Sequence, residues 1–283
     1  MTKHQEKQFA DTNLPFAEME QGTAVDKTAV AMSFSRAAQT YDQVAKVQQW
    51  VVARLLQQID FGNHIASVLD VGCGTGHLTQ QLLQRHRPKV IHGLDIADGM
   101  LVVAREKAQH LTGQSFVCGD AESLPFADNY FDLIVSSFAL QWCPDFTAVL
   151  TEIERVLKPG GCCYFAIPAQ HTLRELKACW YRVDSQNTHV NSFYQCDELA
   201  QLAALQNFES VAFSTETITE YYPDLKAITG ALKAMGAHNV TAGRAKQLTG
   251  KTKIKKLVNE YEAFRTTQGL PVTWNVMFAC LKK

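Results

Sequence analysis

Residues 68–79 read VLDVGCGTGHLT, and their reading decides the fold. An apolar run carrying one acid, Asp70, is followed by glycines at positions 72, 74 and 76 and then by the amphipathic stretch HLTQQLLQRH. This is a strand, a tight turn and a helix in succession. Glycines spaced so closely let the backbone turn sharply and bring its N–H groups against a ligand. The dinucleotide fingerprint is GxGxxG, whose third glycine packs the helix onto the strand. Here the spacing is GxGxG, and an acid stands two residues ahead of Gly72. A phosphate site avoids an acid at that place, whereas a cationic amino-acid group is suited by one. A ligand that brings no phosphate to this turn is expected.

Outward from the turn, strand and helix signals alternate. KVIHGLDI, QSFVCGD, FDLIVSSFAL and CCYFAIP read as further strands. DGMLVVAREKAQHL and TAVLTEIERVLKPGG read as helices, the second closed by Pro159 and glycine. Apolar strands alternating with helices predict a parallel sheet covered on both faces. Residues 66–168 are therefore expected to form a doubly wound α/β core that binds its ligand at the carboxyl ends of the strands. Residues 26–60 have helical periodicity with Phe34, Arg36, Tyr41 and Trp50 interleaved, as a helical cap would. Beyond the core, TLRELKACWYRVDSQ and CDELAQLAALQ read as helices. FESVAFSTETITEYY and TWNVMFACLKK read as strands, separated by a segment rich in Lys, Gly and Arg. The expected organisation is one domain over 26–283, with inserted helices and a lid over 169–268 and a polar, mobile extension over 1–25.

A chain of 283 residues is long enough to bury a substantial core. With 46% hydrophobic and 19% charged residues and a net charge of -1, it lacks the basic excess of a general nucleic-acid binder. No apolar run approaches the length that crosses a bilayer, and the opening residues lack the apolar centre of a secretory signal. Among eight cysteines, Cys162 and Cys163 are adjacent, no CxxC occurs, and no Cys/His pairing has metal-ligand spacing. Buried free thiols in a cytoplasmic protein, with no metal site, are expected.

Two further acids extend the site. Asp95 ends KVIHGLDI, where a carboxylate accepts hydrogen bonds from ribose hydroxyls, a position that by itself fits NAD as well. Asp120 ends the third strand, within reach of an adenine amino group. The series DVGCGTG, LDIADGML, GDAESLPF, FDLIVSSFALQW and LKPGG resembles the class I S-adenosylmethionine-dependent methyltransferases, in order and at family-like spacing over about 100 residues. That resemblance implies their seven-stranded, mostly parallel, Rossmann-like sheet. It places Asp70, Gly72, Gly74 and Gly76 around the methionine moiety and Asp95 on the ribose. Ile96 and Met100 would pack on the adenine, with Asp120 and Ala121 at its edge. Met100 read alone is more often a helix-core residue.

The nucleic-acid members of that class often carry NPPY or DPPY after the fourth strand. SSFALQW stands here, which disfavours base methylation. Outside the core, MSFSRAAQTYDQVAKVQ (32–48), SFALQWCPD (137–145), LKAMGAHNVTAGR (232–244) and YEAFRTTQGLPVTW (261–274) resemble the malonyl-acyl carrier protein O-methyltransferases of biotin synthesis. The resemblance then runs from about residue 27 to the end. It implies transfer of a methyl group from S-adenosylmethionine to the free carboxylate of a malonyl thioester on acyl carrier protein. The product is the methyl ester that primes pimeloyl and biotin synthesis. A carboxylate with a reference pKa of about 4 is already ionised at neutral pH and needs no general base.

An arginine orients a carboxylate through two parallel hydrogen bonds. Arg244 is the first candidate and Arg36 the second, each with a purely structural or surface role as its alternative. Tyr41 is expected to close over the cofactor with its hydroxyl toward the substrate, or else to be a core tyrosine. Gln48, two helical turns further on the same face, is expected at the methionine carboxylate, and Trp142 at the pocket mouth, packing on the acyl chain. Arg244, Lys246, Lys251, Lys253, Lys255 and Lys256 form a basic patch suited to an acidic carrier protein, or a solvated lysine-rich surface. Two other functions stay open. One is a methyltransferase of a small metabolite, a quinone ring carbon or another carboxylic acid; the other is a non-catalytic module that keeps the fold.

Overall fold

The computed structural model describes residues 25–60, 65–235 and 250–283. Arg244, Lys246 and nearly all of the 1–25 extension lie outside them. Among the described residues, three helices precede the sheet: α1 (Lys27–Ala37), the single turn α2 (Tyr41–Val44) and α3 (Lys46–Gln58). Asp26 starts α1 by accepting the Ala29 N–H at 3.0 Å, satisfying one of its first-turn donors. The chain breaks at Ala45 (φ -83°, ψ 45°), so Tyr41 and Gln48 do not share the continuous helix that their spacing predicts. Val47, Val51, Val52, Leu55 and Leu56 form one buried stripe along α3.

The predicted alternation follows: β1 (Ser67–Val71), α4 (His77–His86), β2 (Val90–Asp95), α5 (Asp98–Ala108), β3 (Gln114–Cys118) and β4 (Phe131–Ser137). A 3-10 turn over Leu140–Trp142 leads into α6 (Phe146–Val156). This helix ends before the LKPGG that was expected to belong to it. Pro159 has no N–H to give the helix and forces the residue before it out of helical backbone. Leu157 is already extended (φ -69°, ψ 139°) and begins β5 (Leu157–Pro168). It pairs with Phe131, whereas Leu133 next pairs with Cys162, so Lys158–Gly161 form a bulge.

The remaining elements are α7 (Arg174–Val183), α8 (Cys196–Ala204), β6 (Ser210–Tyr222), α9 (Leu225–Ala234), α10 (Lys251–Glu262) and β7 (Leu270–Lys282). The seven strands are ordered β3-β2-β1-β4-β5-β7-β6. All adjoining pairs from β3 to β5 are parallel, and β7 runs antiparallel between β5 and β6. Within 169–268, β6 is thus an edge strand of the sheet, while the helices lie on its faces. One face is covered by α3, α4, α7 and α10 through residues such as Val51, Leu82, Leu176 and Tyr261. The other is covered by α6 and α8 through Phe146, Leu150, Ile153 and Leu199. The sheet is doubly wound. Its strand order reverses between β1 and β4, and the crevice for a ligand opens at their carboxyl ends.

Candidate active site

Three connected compartments occupy that crevice, and Tyr41 borders all of them. The first cleft runs along the ends of β1, β2 and β3. Of the expected residues it is lined by Gly72, Gly74, Asp95, Ile96, Met100, Asp120 and Ala121. The turn after β1 can lie this close to the loop after β4 because residue 72 is glycine. Its φ is +70°, and a Cβ there would stand 2.0 Å from the Ala139 side chain. Gly76 is placed elsewhere: it caps the start of α4 in left-handed conformation and lines none of the three compartments.

Asp95 is held from below. Its Oδ2 accepts the Gly74 N–H and its Oδ1 the Ala97 N–H, each at 2.8 Å. Burial raises its pKa to about 6 against the pull of these backbone donors. Each oxygen keeps a second lone pair, available to a pair of hydroxyls in the cleft. Asp120 is committed on one side: its Oδ2 accepts Lys27 Nζ at 2.6 Å, and the same ammonium sits 2.6 Å from Glu122. Lys27, Val30 and Phe34 all belong to α1, which closes the cleft from above. The sequence singled out none of these three for binding. Helical periodicity shows an apolar face without saying which strand ends it will cover.

A smaller recess continues beneath Tyr41 toward Asp70, Thr75, His77 and Gln48. Asp70 is 1% exposed. Its Oδ2 accepts the Thr79 hydroxyl at 2.6 Å, and its Oδ1 is buried with no partner. Burial pushes its pKa up to about 7, opposed by the Thr79 hydrogen bond and reinforced by the charge of Asp95. A cation brought to Oδ1 would restore the ionised carboxylate. Ser137 Oγ and Gln48 Oε1, also at the walls of this recess, are likewise buried without partners. Gln48 Nε2 donates to the Met235 thioether at 3.3 Å.

The recess is tied to the helical cap by Asp42, the residue after Tyr41. It accepts the Thr75 hydroxyl at 2.6 Å and is paired with Lys107 of α5. Burial works to raise the Asp42 pKa, but Lys107 and Thr75 outweigh it and lower the value. Asp42 was missed, although it lies in the quoted segment TYDQ. Burial, then the charges of Asp95 and Asp42, push the Tyr41 phenol well above its ordinary value, so it stays protonated at neutral pH.

The third compartment is a cavity of about 400 Å3. It shares Phe34, Tyr41, Phe138 and Trp142 with the first cleft. Its outer walls come from α7 and α9, including Trp180, Leu232 and Lys233, and from the stretch between α7 and α8. His189 from that stretch stacks on Trp180 with centroids 3.7 Å apart and contacts Asp184 at 2.9 Å. These wall residues were not foreseen, because they come from segments far apart in sequence. Trp142, expected at the pocket mouth, lines both the first cleft and the large cavity. Arg36 is exposed and lines none of the three compartments. No group of His, Cys, Asp or Glu suited to a metal ion is found among the described residues, and no helix among them is long and apolar enough to cross a membrane.

The crevice fits a nucleoside joined to a cationic amino acid: hydroxyl acceptors at Asp95, an unmet buried carboxylate oxygen at Asp70, and an apolar wall at Met100 and Ile96. Comparison with known proteins agrees. Residues 69–165 match the methyltransferase domain family. The biotin biosynthesis bifunctional protein BioHC of Cellvibrio japonicus is 42% identical over 261 residues, 92% of this chain and 51% of that protein. The chain thus spans about half the length of this bifunctional relative. The malonyl-[acyl-carrier protein] O-methyltransferase of Gallionella capsiferriformans is 36% identical over 90% of both chains. Among solved structures, the YcgJ protein of Bacillus subtilis superposes with a TM-score of 0.60 at 19% identity, covering 83% of this chain and 98% of its own.

Proposed function

The chain belongs to the malonyl-[acyl-carrier protein] O-methyltransferase family and has a class I methyltransferase fold, and from that premise we propose that it esterifies the free carboxylate of a malonyl thioester on acyl carrier protein. Bound S-adenosylmethionine would supply an electrophilic methyl group on a sulfonium, which a carboxylate oxygen could accept as the carbon–sulfur bond breaks. No proton moves. The observation that carries this reading is the junction of the first cleft and the large cavity. Its walls are Phe34, Tyr41, Phe138 and Trp142, aromatic surfaces that bear one phenol and one indole N–H. A water-poor aromatic junction that offers hydrogen-bond donors suits an anion that is already nucleophilic.

The residues divide the work. Asp70 receives the cationic amino-acid end of the cofactor and Asp95 its ribose hydroxyls, while Gln48 and Ser137 offer unmet polar atoms in the same recess. The protonated Tyr41 hydroxyl is positioned to donate to the acceptor. Lys233 is among the described residues that line the large cavity. Arg244, the first candidate for a carboxylate fork, keeps that role as a proposal from the family resemblance. Arg36, exposed, suits a structural or surface role better. α7 and α9, from the segment expected to form the inserted lid, supply walls of the acceptor cavity.

The carrier protein is assigned to α10. Lys253 is paired with Asp184 at 2.8 Å and Lys256 donates to the Arg182 carbonyl at 3.1 Å, both holding α10 against α7. Lys251 and Lys255 project with the exposed Ile254 and Val258. A basic face with an apolar centre complements an acidic carrier. The eight cysteines of this chain are free, which suits the reducing cytoplasm, but only Cys73, Cys143, Cys163 and Cys179 are buried and Cys118 is exposed, contrary to the expectation of buried thiols throughout. The test is intact-mass spectrometry of malonyl-acyl carrier protein incubated with the enzyme and S-adenosylmethionine. One added methyl group, lost on mild ester hydrolysis, is expected; an unchanged mass with cofactor bound would redirect the search to small-molecule acceptors.

A further inference from the structure

Of the four residues shared by the first cleft and the large cavity, Trp142 carries a polar atom that the protein leaves unmet. Its indole Nε1 is buried and makes no hydrogen bond. An indole N–H can only donate, and buried tryptophans usually find an acceptor for it. The ring is also held in place. Phe138, with φ at +52°, turns the chain sharply out of β4, and the Trp142 backbone N–H donates to the Ala139 carbonyl at 3.1 Å to close the 3-10 turn. Phe34 of α1 meets the indole edge-on at 5.6 Å. The result is a fixed, desolvated donor on the wall where the acceptor must meet the methyl group.

We propose that the Trp142 indole N–H donates a hydrogen bond to the acceptor carboxylate, fixing one oxygen so that the other is presented to the methyl group. This rests on the function proposed above and gives Trp142 more than the acyl-packing role that its sequence position suggested. A carboxylate leaving water for an aromatic junction needs a donor, and hydrogen bonds to ionised acceptors are the strong kind. The same contact distinguishes substrate from product. Methylation neutralises the carboxylate, so the hydrogen bond weakens and the ester is released.

The experiment uses the full chain with two replacements at this position. Trp142→Phe removes the N–H and part of the ring. A benzothienylalanine at 142 exchanges N–H for sulfur and keeps the bicyclic shape, which separates the hydrogen bond from packing. Both are expected to raise KM for the malonyl thioester about ten- to a hundredfold, the loss typical of a hydrogen bond to a charged group. The affinity for S-adenosylhomocysteine, read by calorimetry, is expected to stay within about twofold. An unchanged acceptor KM in the benzothienyl variant overturns the assignment, as does a matching loss of cofactor affinity, which would give the N–H to the cofactor. Wild-type enzyme that fails to methylate the thioester removes the proposed function and this contact together. Wild-type activity with unaltered variants removes only the contact.

Discussion

At the scale of single residues, Asp70 is where burial and binding pull in opposite directions. The group ionises near 4 in an unfolded chain and at about 7 in the fold. Its contribution to stability is therefore full below about 4 and is lost as the pH rises through about 7. Asp70→Asn abolishes that loss. Without cofactor, the Tm of the variant relative to wild type should climb with pH and level off above about 7. The comparison cancels His77 and His92, whose pKa values burial lowers in both proteins. The same substitution should weaken S-adenosylmethionine binding by at least about tenfold, measured calorimetrically. Undiminished affinity would remove Asp70 from the cofactor's contacts.

At the scale of elements, the helical cap is what turns strand ends into an enclosed site. Polar contacts at both ends seat α1. At its start, Lys27 bridges Asp120 and Glu122, and near its end Ser35 lies against α5. Gly99 permits that second contact, since a Cβ there would come within 2.8 Å of the Ser35 backbone. Gly99→Ala forces backbone apart and should cost about 1–3 kcal/mol of stability, as overpacking generally does, read from chemical denaturation. Lys27→Ala breaks a partly exposed pair and should matter less for stability, by at most about 1 kcal/mol. Its effect should appear in kinetics, as faster release of S-adenosylhomocysteine in stopped-flow displacement. Equal release rates in variant and wild type would show that the latch does not hold the cap. The cap helices themselves were legible from periodicity. The break at Ala45 was not, because alanine signals no interruption and tertiary contacts of Tyr41 and Asp42 set it.

At the scale of the whole molecule, net charge near zero conceals a local asymmetry. α10 displays Lys251 and Lys255 beside Ile254 and Val258, while its other lysines are bound to α7. Docking of an acidic carrier on this face should weaken as salt screens it, with a Debye length of about 8 Å at physiological ionic strength. KM for malonyl-acyl carrier protein should therefore rise with salt more steeply than KM for a malonyl thioester on a small thiol. Lys251→Glu together with Lys255→Glu should flatten that salt dependence and leave the small-thiol reaction unaltered. A variant with the wild-type salt profile would place the carrier elsewhere.

The sequence alone determined the order of strands and helices over residues 66–168 and the doubly wound class, and it singled out Asp70, Asp95 and Asp120 as candidates, but it left α9 and α10 unread between β6 and β7. Local chemistry suffices for these: apolar periodicity, a glycine-dense turn, acids at strand ends. It misjudged the end of α6, where Pro159 prevails over a helical pattern. Only the tertiary structure decided which surfaces meet across the crevice. Lys27 reaches Asp120 from a helix 93 residues away in sequence, and Phe34, Tyr41, Phe138 and Trp142 converge from the cap and from the end of β4. Such meetings follow from the packing of whole elements about the reversal in strand order between β1 and β4, and no local pattern encodes a distance between elements.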